Sequence, residues 1–274
     1  MNVNNLILKA INAAILAGQK ICQVYNSTDF QIETKTDNTP LTLADRLSHQ
    51  TITKQLESES IPILSEEGKN IPYEQRKNWN LFWLVDPLDG TKEFIKKNGE
   101  FTVNIALIKN NLPIAGVVYV PVKQILYFAS ENNGSFKIEN ISQTIDDLDS
   151  LIDKSTSLPC SFPQGGYVIV ASRSHMNEQT KNYIDKKAAE CDHHRIVSVG
   201  SSLKFCIVAE GLAHEYPRFG PTMEWDTAAG HAIVKFSGGK VCVYPNNHEL
   251  TYNKSSLLNP YFIVKSTFLI NEIS

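Results

Sequence analysis

The stretch Trp83-Leu84-Val85-Asp86-Pro87-Leu88-Asp89-Gly90-Thr91-Lys92-Glu93-Phe94 decides how the rest of the chain is read. An apolar run over 81–85 reads as a strand, which delivers Asp86 into a Pro-Leu-Asp-Gly turn. Thr91 then stands where a helix should begin. Two carboxylates three residues apart on a tight turn can converge on one site. The amides of Gly90, Thr91 and Lys92 at a helix N-terminus would give an anion cradle beside them. Ligands that offer only oxygen select a hard cation such as Mg²⁺ over zinc. The same residues also make a good β-turn with a solvated capping aspartate, and nothing local separates the two readings.

Outward from this stretch, the pattern predicts a mixed fold. An N-terminal amphipathic helix carries Ile7, Ala10, Ile11, Ala14, Gly18, Ile21 and Tyr25 at helical spacing. Its polar interruptions exclude a secretory signal or a spanning helix, and packing on the protein's own core suits it better than a membrane surface. A second helix is expected from Thr39-Pro40 through Ala44, Leu47, Ile52 and Leu56 to about Glu57. Strands over 103–108, 114–120 and 125–129 are joined by turns too short for crossover helices, so they form an antiparallel meander. Residues 139–163 are polar and mark a boundary between two lobes, 1–155 and 156–274. Beyond them strands over 167–171, 195–199, 215–219, 241–244 and 261–264 alternate with helices over 178–190 and 202–210. A further helix opens at Asp226-Thr227 and closes at Gly238-Gly239.

Composition narrows the function classes. Over 274 residues, 42% apolar and 20% charged side chains describe a globular chain with a substantial core, not a disordered one. The 26 basic and 29 acidic side chains give a formal charge of −3, too little cationic surface for a nucleic-acid polymer. A small phosphorylated substrate remains open. Five scattered cysteines without a CxxC pair speak against a disulfide framework or a thiolate zinc site, and fit a reducing cytoplasm. There is no GxGxxG, P-loop, HExxH or GxSxG, which removes the corresponding chemistries.

Three other acidic spots remain, each with an ordinary explanation of its own. Glu66-Glu67 follows a strand-like run, and adjacent side chains diverge, so at most one joins an internal site. Asp226 in Glu224-Trp225-Asp226-Thr227-Ala228-Ala229-Gly230 can simply cap a helix. Asp45 suits a helix macrodipole, and Asp37 an Asx-turn.

In their order along the chain, these four segments resemble the magnesium-dependent, lithium-sensitive phosphatases of the inositol monophosphatase superfamily. The shared pattern is an Asp before a Pro-x-Thr helix start, a Glu-Glu after a strand, D-P-[LI]-D-G-T and W-D-x-A-[AG]-G. The resemblance implies an α/β fold of two lobes in αβαβα layers, of the sugar-phosphatase kind. It implies two or more Mg²⁺ ions held by Glu66, Asp86, the Leu88 carbonyl, Asp89 and Asp226. Thr91, hydrogen-bonded to Asp37, would orient and help deprotonate the attacking water, with Glu66 and Asp89 also in catalytic positions. Glu66, Asp89, Gly90, Thr91, Lys92 and Asp226 would surround the phosphate, and Glu67 would tune the site from behind.

Ser172-Arg173-Ser174-His175, the 200–206 segment and Tyr216-Pro217-Arg218-Phe219-Gly220-Pro221-Thr222 resemble one branch of that superfamily, the bacterial 3′(2′),5′-bisphosphate nucleotidases. That branch implies a nucleoside bisphosphate, adenosine 3′,5′-bisphosphate, as small-molecule substrate. Lys204 and Arg218 would take its second phosphate, with Ser201 and His175 as further contacts. Each of these four can equally be a surface or core polar residue. Met223-Glu224 departs from the superfamily pattern and is expected to leave the chemistry untouched. An inositol or sugar phosphatase, and a bisphosphate sensor without turnover, are the alternatives. A haloacid-dehalogenase-type phosphatase would need one residue between the aspartates, where Pro87-Leu88 gives two. The expected location is the cytoplasm, with peripheral association at the inner membrane face and the oligomeric state left open.

Overall fold

The computed structural model describes residues 2–27, 33–34, 40–57, 60–172 and 176–268. Its first layer is a helix pair. α1 (Val3–Tyr25) starts at Asn2, whose side chain accepts from the Asn4 amide. The expected stripe is buried: Ile7, Ala10, Ile11, Ala14 and Ile21 are at most 1% exposed, so this face is committed to the core. After β1 (Glu33–Thr34) and β2 (Pro40–Leu41), which pair antiparallel, comes α2 (Leu43–Leu56). This helix begins later than the Thr39-Pro40 signal predicts. The Thr42 hydroxyl accepts from the Ala44 amide at 3.2 Å while Asp45 Oδ2 accepts from the Thr42 amide at 2.8 Å. That reciprocal cap fixes the start, and Pro40 goes to the strand pair instead.

The second layer is a seven-stranded sheet in chain order: β3 (Ile63–Ser65), β4 (Leu81–Asp89), β5 (Thr102–Lys109), β6 (Leu112–Val120), β7 (Ile125–Ser130), β8 (Gly134–Ile138) and β9 (Thr156–Ser157). β3 runs parallel to β4 and the later neighbours are antiparallel, so the expected meander forms and extends by two strands. Asn110 and Asn111, both at positive φ, make the tight turn between β5 and β6. Two short helices, α3 (Tyr73–Arg76) and α4 (Thr91–Ile95), flank β4. The polar 139–163 region contains α5 (Leu148–Lys154), capped by Asp147 onto the Ser150 amide. Only Leu148 and Leu151 of that helix are buried, too few to make a visible period.

A five-stranded sheet follows, ordered β11-β10-β12-β14-β13: β10 (Tyr167–Ser172), β11 (His194–Val199), β12 (Glu215–Arg218), β13 (Lys240–Val243) and β14 (Phe262–Lys265). α6 (Glu178–Ala189) is the crossover between the parallel strands β10 and β11 and lies on the outer face. Between the sheets lie α7 (Leu203–Glu210), ended by Gly211 at φ +83°, and α8 (Glu224–Phe236). The stack is therefore α1/α2, sheet, α7/α8, sheet, α6, the αβαβα order that the resemblance implies. One core fills the space under α1 and α2, and a second joins the two sheets through α7 and α8. α8 lies directly on β6. A Cβ at Gly116 would fall 2.6 Å from Ala232 Cβ and 2.7 Å from the Ala229 carbonyl oxygen, so only glycine allows this approach. The run Ala228-Ala229-Gly230 is the reciprocal small surface on the helix. No helix among the described residues is long and apolar enough to cross a membrane.

Candidate active site

The site is built first by an irregularity in β4. Asp86 pairs with Asn104 and Asp89 with Thr102, so three steps on β4 oppose two on β5. The extra residue is a bulge. It cancels the alternation that would otherwise send two side chains three apart to opposite faces. Asp86 Oδ1 accepts from the Leu88 amide at 3.0 Å, and the Ser48 hydroxyl on α2 donates to the Pro87 carbonyl at 2.6 Å. Gly90 turns the chain into α4 at φ +94°, a conformation strained for any side chain with a Cβ.

Glu66 at the end of β3, Asp86 on β4 and Asp226 in the first turn of α8 bring one carboxylate oxygen each within 4.8 Å of one another. Asp89 stands apart from this trio. Its Oδ2 accepts from the Ser201 hydroxyl at 2.6 Å, the Ser202 hydroxyl at 2.7 Å and the Asn104 amide at 3.5 Å. Ser201 holds this place with a left-handed backbone, φ +52°, and its hydroxyl also pairs with Thr102 Oγ1 at 2.6 Å. The turn preceding α7 thus clasps the turn following β4, joining the two sheets at the site.

Charge follows from this packing. Burial holds the Asp86 carboxyl well above its ordinary pKa, reinforced by Glu66, Asp89 and Asp226 and opposed by the Leu88 amide. Burial likewise raises Asp226, with Asp89 and Glu66 adding to it and the Met223 amide and Arg218 opposing. Carboxylates crowded together and raised by burial and by one another, with only oxygen donors among them, fit a hard divalent cation.

The opposite wall is cationic. Lys204 and Arg218 are 7% and 8% exposed. Burial lowers the Lys204 ammonium to about 8, the neighbouring Arg218 pushes the same way, and Asp89, Glu93 and Asp226 oppose them. Lys204 donates to the Ser201 carbonyl, and Arg218 Nη2 to the Pro221 carbonyl at 2.9 Å. Arg218 Nε is buried with no hydrogen-bond partner among the described residues.

Both walls line one cavity of about 590 Å³. Of the residues singled out in the sequence, Glu66, Asp86, Leu88, Asp89, Gly90, Thr91, Lys92, Ser201, Lys204, Arg218 and Asp226 line it. Asp37 and His175 lie outside the described residues. The described acceptor for the Thr91 hydroxyl is Asp45 Oδ1, at 3.4 Å. Sequence reasoning gave Asp45 only a helix-dipole role and passed over Ser202 and Asn104. Asn104 carried a signal, as the one amide inside the apolar run 103–108, and it donates to both Ser202 and Asp89.

Residues 3–267 match the inositol monophosphatase family. The chain is 45% identical over 268 residues to the 3′(2′),5′-bisphosphate nucleotidase CysQ of Buchnera aphidicola subsp. Acyrthosiphon pisum (strain APS), covering 93% of this chain and 91% of that protein. It is 44% identical over 252 residues to the protein of the same name from Escherichia coli (strain K12), covering 90% and 94%. Among solved structures, CysQ from Bacteroides thetaiotaomicron, a bacterial member of the inositol monophosphatase family, superposes with a TM-score of 0.90 at 48% identity. That match covers 96% of this chain and 98% of the other. With its five-layer stack, its acidic cluster and these relatives, the chain belongs to the inositol monophosphatase family.

Proposed function

We propose that this protein is a metal-dependent phosphomonoesterase that removes the 3′-phosphate of adenosine 3′,5′-bisphosphate, leaving AMP and phosphate. One observation carries the reading: a carboxylate trio and two buried cations, Lys204 and Arg218, line the same cavity. An inositol monophosphate needs only the acidic end. A nucleoside bisphosphate uses both, because its second phosphate requires a cation away from the metal. The relatives' names support the same substrate class.

The family is magnesium-dependent in general. Glu66, Asp86 and Asp226, with the Leu88 carbonyl and Asp89, would hold two or more Mg²⁺ ions, which supply Lewis-acid polarisation of the phosphoryl group and acidify water. Thr91 Oγ1 passes its proton toward Asp45 Oδ1 and so offers a lone pair to the attacking water. The amides of Gly90, Thr91 and Lys92 meet the non-bridging oxygens, and Ser201 and Ser202 keep Asp89 from swinging away. Labour divides along the chain: 1–155 supplies Glu66, Asp86, Asp89 and Thr91, and 156–274 supplies Asp226, Lys204 and Arg218. Five free thiols support a cytoplasmic location.

The test is phosphate release from a panel of phosphomonoesters with Mg²⁺ varied. The reading expects kcat/KM on adenosine 3′,5′-bisphosphate to exceed that on inositol 1-phosphate by at least roughly 10²-fold, the discrimination that a site with a dedicated charged partner gives. Preference for inositol 1-phosphate would overturn it.

A further inference from the structure

Glu224 opens α8 two residues before Asp226, and its side chain is wholly buried, 0% exposed. It does not line the cavity. Its Oε2 accepts from the Asn253 amide at 2.7 Å, and its Oε1 from the Lys254 amide at 2.9 Å and Lys254 Nζ at 2.6 Å. The Glu224 amide in turn donates to the Leu257 carbonyl at 2.9 Å. Asn259 completes the grip from the far end of the same segment. Its side-chain amide donates to the Met223 carbonyl at 2.8 Å and to Thr227 Oγ1 at 3.1 Å.

The segment that grips α8 is itself held from the other side. Arg76, 2% exposed, sits at the end of α3 in the connection that runs from Glu66 to β4. Its Nη1 donates to Asn253 Oδ1 at 2.8 Å and to the Lys254 carbonyl at 2.7 Å, and Asn253 Nδ2 donates back to the Arg76 carbonyl at 2.8 Å. The helix that carries Asp226 and the connection that leads from Glu66 are therefore both tied to one strut at 253–259, anchored by the buried side chains of Asn253 and Asn259. Buried like charges push apart, and some rigid element must resist that push. The pairing with Lys254 also lets a carboxylate stand here without adding net negative charge to the cluster.

We propose that Glu224, with Lys254 and Arg76, is a positioning residue that sets the spacing of Asp226 from Glu66 and thereby the cation affinity of the site. The residue that departs from the superfamily pattern thus acts on the chemistry through the helix it opens. The inference rests on the reading of the acidic trio as a cation site, and not on the identity of the substrate.

The experiment measures Mn²⁺ binding to the full chain by loss of the free-ion EPR signal, with thermal melting of each metal-free variant alongside. Glu224→Gln keeps the shape but turns an amide group toward donors, and it should raise the Mn²⁺ dissociation constant roughly 10- to 100-fold. KM for the phosphomonoester at saturating metal should stay within about twofold, since nothing touching substrate changes. Arg76→Lys, which keeps the charge but loses the fork, serves if Glu224→Gln fails to fold, and should weaken Mn²⁺ binding by roughly 5- to 10-fold. Glu210→Gln is the matched control. Glu210 is a buried carboxylate at the far end of α7, accepting from Tyr127 at 2.7 Å and Lys137 at 2.9 Å. Its loss should lower the melting temperature and leave Mn²⁺ affinity unchanged. Wild-type Mn²⁺ affinity in both Glu224→Gln and Arg76→Lys, with lowered melting, would make the strut merely structural and overturn the proposal. Absence of Mn²⁺ binding by the wild-type chain would overturn the metal reading, and this inference with it.

Discussion

Of the helices that reach the site by their N-termini, α2 and α8 each bring an aspartate at the third position of the first turn. In α2, Asp45 Oδ2 accepts from the Thr42 amide; in α8, Asp226 Oδ2 accepts from the Met223 amide, both at 2.8 Å. In α2 the other oxygen, Oδ1, accepts from the Thr91 hydroxyl, and in α8 the same carboxylate belongs to the trio. The supports differ. Thr42 caps α2 from within four residues, whereas the Met223 side chain makes no cap hydrogen bond and α8 is held from 253–259. A locally capped carboxylate is placed by its own sequence, and a remotely braced one by the whole fold.

The largest expected effect breaks the comparison at α8. In Asp226→Asn the amide oxygen can still accept from Met223, so the helix stays closed while the cluster loses a charge. Phosphate release at saturating Mg²⁺ should fall roughly 10³-fold. Melting of the metal-free chain should rise by roughly 2–4 °C, because a buried like charge has gone. A kcat within tenfold of wild type would remove Asp226 from the chemistry.

At α2 the same exchange, Asp45→Asn, should cost less. Its oxygen still closes the cap, but the group that takes up the Thr91 proton is no longer anionic. A loss of about 10²-fold in kcat with KM unchanged is expected from steady-state kinetics. Equal losses at both aspartates would show that the two starts do not differ in role.

The N-terminus of α7 sharpens the contrast, since it carries a cation, Lys204, in its first turn, where the macrodipole disfavours it. With burial bringing its pKa to about 8, Lys204 is charged below that pH and neutral above it. Binding of a second phosphate should therefore weaken as pH rises through 8. KM for the bisphosphate should climb roughly tenfold between pH 7 and 9. Lys204→Met should show a high KM that is flat across the same range, and an unchanged pH profile in that variant would exonerate Lys204.

The smallest effect tests the local cap alone. Thr42→Ala should cost about 1 kcal/mol, a fall of roughly 2–4 °C in Tm, with kcat within about twofold of wild type. Differential scanning calorimetry reads the first and the phosphate assay the second. A loss of activity larger than that for Asp45→Asn would mean that α2 is not placed by its own cap.

The same contrast explains what could be read from the sequence. Asp86 to Thr91 declares itself because strand, turn and helix start lie in consecutive residues, and the meander because its turns are short. The start at Thr42 went unread because Thr39-Pro40, three residues earlier, offers a start signal of its own, and Asp45 alone suggests only a macrodipole role. α5 and β9 hid in 139–163 because so few of their residues are buried. Glu224 looked neutral because every partner of its side chain lies 29 or 30 residues away. Ser202 looked like an ordinary helix start because Asp89, which it clasps, lies 113 residues earlier. Periodicity reports neighbours and is silent on such pairings.

The clasp on Asp89 also has a consequence in time. Ser201 follows Asp89 by 112 residues, so a ribosome adding about 5–20 residues per second needs roughly 6 to 22 s to make it. Through that interval the acidic turn exists without its hydroxyl partners, its opposing cation Lys204, or Asp226. A nascent chain of this protein therefore has the charges of a catalyst well before it has the means to hold them.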